Sequence, residues 1–397
     1  MKSSVIPPPS NGRPIVSVTP PRGYKREDTV RRQSWLEAKT GFHLNDSEPD
    51  APETLKGIIE NHTGYMRVPM AVAGPLAIHG SYAKGEYYVP LCTVEGTLSM
   101  SMTRGMYLTH LSGGITTRHI KQEISRSPIF IFNDLDSSML FMRWIEEHYA
   151  ELKTRAESTT SHGCLLRIDK YPAQNSVILD FMYSTAEAAG QNMVTIATYE
   201  ACKYIKEQFH CDGGYKYFIE CNFNCDKNPA TKTTLLGRSH QVVASALIKG
   251  RFLRRIMRTT AKEYVAGWAQ CVRGGQIAGV VGMNMHVANA LAAIYLATGQ
   301  DVACVAENSV GTMTYEVRNE HDMLAILMMP SISVGTVGGG TRLSQQRRNL
   351  ELLGCIGKNS SKKLAEIVCA SALALELSLG GAIVTDEFAM AHAKYGR

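Results

Sequence analysis

No C-x-x-C pair occurs among the ten cysteines of this 397-residue chain; the closest spacing is Cys221 to Cys225, in "CNFNC". That absence argues against a bound metal and against a disulfide framework, so reduced thiols in a cytosolic compartment are expected. No G-x-G-x-x-G follows an early strand, which disfavours an ordinary Rossmann cofactor site. Neither sign of charge is in large excess. Forty-two Lys and Arg against 36 Asp and Glu leave a formal net charge of +6, spread along the chain, so nucleic-acid binding is not expected. No segment is read as reaching the ~20 apolar residues that span a bilayer. The opening "MKSSVIPPPSNGRPIVSVTPPRGYKRED" has no apolar signal core and reads as a flexible, proline-rich lead-in. No internal repeat is visible.

What is present is a globular balance, 44% hydrophobic and 20% charged, in a chain long enough for two or three domains. "TVRRQSWLEAKTG" reads as a helix, followed by the polar stretch "NDSEPDAPET". In "LKGIIENHTGYMRVPMAVAGPL", Pro69, Gly74 and Pro75 demand turns. "GEYYVPLCTV" is strand-like, and "EGTLSMSMTRGMYLTHLSGG" is a helix closing on Gly113 and Gly114. Glu95 stands between the two, where an acid is ordinarily just favourable near the positive end of a helix.

From Pro128 a compact order of elements appears. "IFIF" is a short strand, "SSMLFMRWIEEHYAELKTRAE" an amphipathic helix and "GCLLRIDKYPAQNSVILDFMY" a hairpin. "AEAAGQNMVTIATYEACKYIKEQF" is a second helix and "YKYFIECNF" a last strand. This β-α-β-β-α-β order is ferredoxin-like. The expected class is therefore α+β: a large helix-rich domain (55–127 and 219–397) carrying an inserted ferredoxin-like domain (128–218), after an N-terminal segment (1–54) that is flexible, then helical. In the large domain, "QVVASALIKGRFLRRIMRTTAKEYVAGWAQCV" reads as a strand and a long helix. "HVANALAAIYLATG" is a helix stopped by Gly299, and "PSISVGTVGGGT" is a strand entering a glycine loop. "SKKLAEIVCASALALELSLGGAIV" is a helix apolar enough to be buried or to lie at a subunit contact.

Four segments hold candidate chemistry, each with a plainer reading. "GTVGGGT" (335–341) can bring backbone N–H groups to a phosphate, or simply turn. The helix start in "YSTAEAAGQNM" (183–193) suits a pyrophosphate, although close packing through Ala188, Ala189 and Gly190 explains the small residues equally well. "NCDKNPATKTTLLGRSH" (224–240) sets Asp226 beside Lys227: a charged turn, or a held lysine facing an oxyanion. His392, in "EFAMAHAKYGR", is a solvated histidine or a general acid.

Together these pieces resemble the 3-hydroxy-3-methylglutaryl-CoA reductase family from about Leu55 to Arg397. "ENHTGYMRVPMAVAGPL", "TVEGTLSMSMTRG", "DKNPA", "GQD", "TVGGGT" and "AHA" are similar to six family motifs and occur in the family's order. The resemblance implies NADPH as cofactor, with NADH the alternative, and two hydride transfers: thioester to hemithioacetal, then aldehyde to mevalonate. It implies that the inserted domain binds the nicotinamide cofactor. It also implies homo-oligomers built from dimers, with active sites between subunits.

By position, the resemblance gives Lys227 the role of stabilising the carbonyl oxygen and His392 that of protonating the CoA thiolate. Glu95 would be a neutral proton donor, its carboxyl kept protonated by burial or a nearby acid, and Asp301 would bridge Glu95 and Lys227. Ser101, Arg104, Arg126, Asp226, Arg258, His286 and Asn289 match acyl-CoA-binding positions. Ser161, His162, Glu187, Asn192, Met193, Val337, Gly338 and Gly339 match cofactor positions. Three departures stand out. Glu187 replaces the aspartate of D-A-M-G-x-N-M, Asn228 replaces the second lysine of D-K-K-P-A, and Thr103 stands where the motif has asparagine. The expected protein is a cytoplasmic enzyme without a membrane anchor. The alternatives are a reductase of a related CoA- or carrier-bound thioester, and a non-catalytic CoA-binding homologue.

Overall fold

The computed structural model describes residues 18–21, 26–42, 50–62 and 64–395, so most of the proline-rich opening and positions 45–49 of the polar stretch lie outside the described residues. The chain divides into two compact units, 1–47 and 48–397. The first contains α1 (Arg26–Thr40), with Glu27 and Asp28 in its first turn and Lys39 in its last, charges that suit the helix dipole. It ends where Gly41 takes a positive φ of 69°.

The second unit opens with an antiparallel pair, β1 (Met70–His79) and β2 (Lys84–Cys92). The turns expected at Pro69, Gly74 and Pro75 are absent. Pro69 lies just before β1, which runs through Gly74 and Pro75; that pair, joined by a cis peptide, forms a bulge between Ala73 and Leu76. A Cβ on Gly74 would lie 2.4 Å from the Tyr88 ring, so the glycine serves the close approach of β2. α2 (Leu98–Leu111) ends at Gly113 and Gly114 as expected, both at positive φ. β3 (Ile115–Arg126) follows, and then β4 (Ile129–Phe132), whose alternation buries Phe130 and Phe132.

The single helix expected next is two, α3 (Leu135–Glu147) and α4 (Tyr149–Glu157). They part at His148, whose ring stacks on Trp144 and hydrogen-bonds the Trp144 carbonyl at 2.9 Å. The hairpin β5 (Cys164–Ala173) and β6 (Ser176–Ser184), α5 (Gln191–Gln208) and β7 (Tyr215–Phe218) come next. After α6 (Thr231–Leu236) and β8 (Arg238–Ile248), the expected long helix is again interrupted. α7 (Gly250–Phe252) passes into a π-helical turn, Arg258 adopts a left-handed φ of 57°, and Thr260 with Glu263 forms a capping box that starts α8 (Ala261–Ala278).

α9 (Val287–Thr298) ends at Gly299, with φ 72°. The short α10 (Val305–Asn308) leads to the hairpin β9 (Thr312–Arg318) and β10 (Asp322–Ile332), then α11 (Ser344–Leu352), α12 (Ser360–Val384) and α13 (Glu387–Tyr395). Six strands form one sheet in the order β2–β1–β3–β8–β10–β9, and four form another, β7–β4–β6–β5. β3 belongs to both: Thr116–Glu123 pairs with β8, and Ile124–Arg126 pairs with β6. Each sheet has its own core. One is built on Phe130, Phe141, Phe181 and Val194; the other on Leu76, Met106, Leu291 and most of α12.

α12 overturns one expectation. By length and composition it alone among the described helices would pass as a membrane span, yet 83% of its most apolar window is buried within the protein. Its acids, Glu366 and Glu376, are buried as well. Glu366 accepts from the backbone N–H groups of Ser81, Tyr82 and Ala83 at 3.0, 2.9 and 2.7 Å, which satisfies the β1–β2 turn.

Candidate active site

α9 organises the site, because a group of interest is held at each end. At its start, Nδ2 of Asn289 donates to both carboxylate oxygens of Glu95, at 2.8 and 2.9 Å. His286, the residue before the helix, is fixed by the buried Glu376. That carboxylate accepts from the N–H groups of Met285 and His286 at 2.9 and 2.8 Å and lies 2.7 Å from His286 Nδ1. The bond at Nδ1 leaves Nε2 as the nitrogen facing away from the acid.

Glu95 departs from expectation. It sits in the loop before α2 rather than on the helix, and it is exposed, so the burial expected to keep it protonated is not provided within this chain.

Past the other end of α9 lies Asp301, whose Oδ2 is 3.1 Å from Lys227 Nζ. The hydrogen bond to this carboxylate raises the lysine above its ordinary value, so Lys227 remains a cation at neutral pH. Asp301 was expected to bridge Lys227 and Glu95. Its bond to Lys227 is present, while Glu95 is held by Asn289. From Asn289 to Thr298 the helix rises roughly 13 Å at ~1.5 Å per residue, which keeps the two groups apart within one chain.

Behind Lys227 lies a buried set that no motif announced. Oε2 of Glu307 accepts the Lys227 backbone N–H at 2.6 Å, and its Oε1 accepts from Arg238 Nη1 at 2.7 Å and Ser333 Oγ at 2.6 Å. Arg238 also donates through Nε to the Asn224 carbonyl at 3.2 Å and through Nη2 to Gln191 Oε1 at 3.0 Å, with Asp226 Oδ1 3.3 Å from Nη2. Ligand atoms of Asp226, Cys304 and Glu307 lie within 4.8 Å of one another, but the arginine already supplies the positive charge to both carboxylates.

The remaining acyl-CoA candidates fall into two groups. Arg126 is mostly buried, with Nη1 2.5 Å from Glu220 and Nη2 4.0 Å from Asp226; its buried Nε has no acceptor among the described residues. Ser101 Oγ and Arg104 Nε each lie 2.9 Å from Ser378 Oγ, and Arg104 and the exposed Arg258 both pair with Glu387, at 3.1 and 2.9 Å. Glu387 opens α13, the helix that includes His392. The His392 side chain lies outside the described residues.

The cofactor candidates gather at the start of α5. Asn192 and Met193 occupy its first turn, and Met193 Sδ is 3.2 Å from Thr160 Oγ1, beside the exposed Ser161 and His162. Val337 forms a parallel bridge with Ala188, while Gly338 and Gly339 are exposed, at positive φ, with open space where a side chain would project. A Cβ on Gly335 would lie 2.4 Å from Ala189 N, so the close-packing reading of this loop also holds. The glycine loop reaches Asp301's end of α9: a Cβ on Gly299 would lie 2.3 Å from the Gly340 carbonyl.

Glu187 is the exception among the cofactor candidates. Its carboxylate turns to the start of α12, accepting from Asn359 N at 2.6 Å and Ser361 N at 2.8 Å.

The model of the family described as hydroxymethylglutaryl-coenzyme A reductase matches residues 25–397. The 3-hydroxy-3-methylglutaryl-coenzyme A reductase of Aeropyrum pernix is 39% identical, over 94% of this chain and 91% of its own length. The enzyme of the same name from Methanocaldococcus jannaschii is 36% identical over 94% of each. Among solved structures, a class II 3-hydroxy-3-methylglutaryl-CoA reductase from Streptococcus pneumoniae bound to NADPH is similar with a TM-score of 0.69. It covers 88% of this chain and 92% of that one, and at 19% identity it shows the fold. With a family match running nearly end to end and relatives this similar over more than nine-tenths of their length, the chain belongs to the hydroxymethylglutaryl-coenzyme A reductase family.

Proposed function

We propose that this chain reduces 3-hydroxy-3-methylglutaryl-CoA to mevalonate and CoA with NADPH. Family membership over residues 25–397 supports the reaction. The observation that carries it to this site is the meeting of the Lys227–Asp301 pair with an open glycine loop and the first turn of α5. Ser161, His162, Asn192, Met193, Val337, Gly338 and Gly339 would hold the cofactor; the unfilled space over Gly338 and Gly339 fits a ligand lying against bare backbone. Bound there, a nicotinamide would supply one hydride, and two NADPH bound in succession would supply the two that each turnover needs.

The module that holds it is the ferredoxin-like unit at 128–218, inserted between 55–127 and 219–397. Support comes from its β-α-β-β-α-β order, with the first helix split in two, its antiparallel strand order β7–β4–β6–β5 and its own core. Glu187 acts from behind the cofactor loop, anchoring it to α12.

In the first reduction Lys227 faces the thioester oxygen, where negative charge develops, and Asp301 holds the ammonium in place. The C–S bond then breaks with its electron pair going to sulfur, and His392 gives the thiolate a proton. In the second reduction Glu95 gives a proton to the aldehyde oxygen. Arg126 and Asp226, with Ser101, Arg104, Arg258, His286 and Asn289, bind the acyl-CoA; the buried Arg126 Nε awaiting an acceptor supports an anionic ligand.

Glu95 meets Lys227 through a second copy of the chain. The roughly 13 Å of α9 between Asn289 and Thr298 supports this, since the two halves lie apart in one subunit and exposed at each end. Ten free cysteines and the burial of α12 support a cytoplasmic setting.

Purified protein given 3-hydroxy-3-methylglutaryl-CoA should oxidise two NADPH per mevalonate formed. No turnover, with rapid reduction of a different acyl thioester, would overturn the reading.

A further inference from the structure

We infer that the buried Arg238–Glu307 pair is a positioning centre that fixes Lys227 relative to the cofactor-binding helix α5, and so sets the rate of hydride transfer without touching substrate. This rests on the functional reading above. Both side chains are almost wholly buried, Arg238 at 3% exposure and Glu307 at 0%. A buried ion pair is poor value as a source of stability, because well-packed apolar groups of the same volume serve as well or better. What the pair does have is reach.

Three segments converge on it. The first is the lysine loop. Lys227 adopts a left-handed φ of 61°, a conformation that side-chain-bearing residues rarely take, and Glu307 Oε2 captures its backbone N–H at 2.6 Å. Arg238 holds the preceding part of the same loop through the Asn224 carbonyl and the Asp226 carboxylate. The second is α5. Its first residue, Gln191, accepts from Arg238 at 3.0 Å and donates to Asp226 Oδ1 at 3.2 Å, one residue before Asn192 and Met193. The third is the segment that leads from β10 into the glycine loop, held by Ser333 Oγ on Glu307 Oε1 at 2.6 Å, two residues before Gly335.

The ammonium that faces the developing oxyanion and both walls of the cofactor cleft are therefore referenced to one guanidinium–carboxylate contact. Hydride transfer depends steeply on such alignment: a displacement of 1 Å can cost about a hundredfold in rate. Removing both charges together avoids stranding either one, and Asp226, which also loses Arg238, keeps Gln191 at 3.2 Å and Arg126 at 4.0 Å, so the double variant should fold.

The test compares wild type with the double variant Arg238→Met/Glu307→Leu. The expected double variant melts close to wild type, keeps its KM for 3-hydroxy-3-methylglutaryl-CoA within about threefold, and loses about a hundredfold in kcat. A folded double variant with near-wild-type kcat overturns the inference, as does a loss confined to KM. Should the double variant not fold, Arg238→Lys and Glu307→Gln, each keeping part of the hydrogen bonding, are read for the same split between kcat and KM.

A wild-type protein that does not turn over this substrate would sink the functional reading instead. The inference would then be judged by mass-spectrometric labelling of Lys227 with acetic anhydride, normalised to the other lysines. A several-fold change in the variant is expected, and an unchanged rate overturns it.

Discussion

The two ends of α9 are built in opposite ways. At the C-terminal end, Lys227 is backed by buried charges, its backbone N–H gripped by Glu307 and its ammonium by Asp301. At the N-terminal end, Glu95 is an exposed loop carboxylate whose hold is the side chain of Asn289. One end is finished inside the chain. The other is exposed, with His286 beside it anchored on the buried Glu376. The difference fits the proposal above, in which one end of the site is completed within a subunit and the other by a second copy.

The sharpest way to break this comparison is at the finished end. Lys227→Ala should retain acyl-CoA binding and lose kcat by about a thousandfold or more, as expected when a preorganised electrostatic partner is removed; wild-type-like single-turnover rates would end the oxyanion role. Mixing subunits tests the open end. Lys227→Ala and Glu95→Gln proteins, each inactive alone, should regain about a quarter of wild-type sites when co-refolded, because one of the two sites in each mixed dimer is intact. Mixtures that stay inactive would mean that both groups must act from the same chain.

Glu376→Gln should have a smaller effect. It places an amide against two backbone donors and costs about 1–3 kcal/mol of stability. With His286 no longer oriented, the KM for acyl-CoA should rise by about tenfold, and an unchanged KM in a folded variant would separate His286 from substrate.

The weakest effect concerns pH. His240 lies two residues beyond Arg238 in β8, with Nδ1 2.9 Å from His119 Nε2. Burial, then the neighbouring imidazole, pushes His240 down to about 3; burial, then Lys362, pushes His119 down to about 4. An unfolded histidine titrates near 6.5. Between about 6.5 and 4 the unfolded chain thus takes up protons that the folded chain refuses, and stability contributed by the pair falls as pH falls. The denaturation midpoint should decline from pH 7 to pH 4.5, and His240→Gln should flatten that slope.

Much of this was legible in local sequence. Alternation in "IFIF" places Phe130 and Phe132 inward, and Gly299 ends α9 because only its freedom at positive φ lets the chain turn there. The residues in family motifs are local strings too, so Lys227, Asp301 and the 337–339 loop can be named as candidates without a structure. The misreadings have a common cause. Pro69, Gly74 and Pro75 look like turn formers, but Pro69 leads straight into β1, and cross-strand pairing with the Tyr88 ring makes Gly74 and Pro75 a bulge. α12 reads as buried, yet its acids concealed how apolar it is, and only contacts nearly 300 positions away, at Ser81–Ala83, account for Glu366.

By itself the sequence determined which residues are candidates for the chemistry and which short segments become strands, helices and glycine turns, because those preferences act over a few neighbouring residues. Only the tertiary structure decided that Glu95 and Lys227 lie at opposite ends of one helix. It alone decided, too, that Glu187 caps a distant helix and that Arg238 and Glu307 meet behind the lysine. Those outcomes depend on burying charge where a partner waits, and the partner's place in space is not written in its place along the chain.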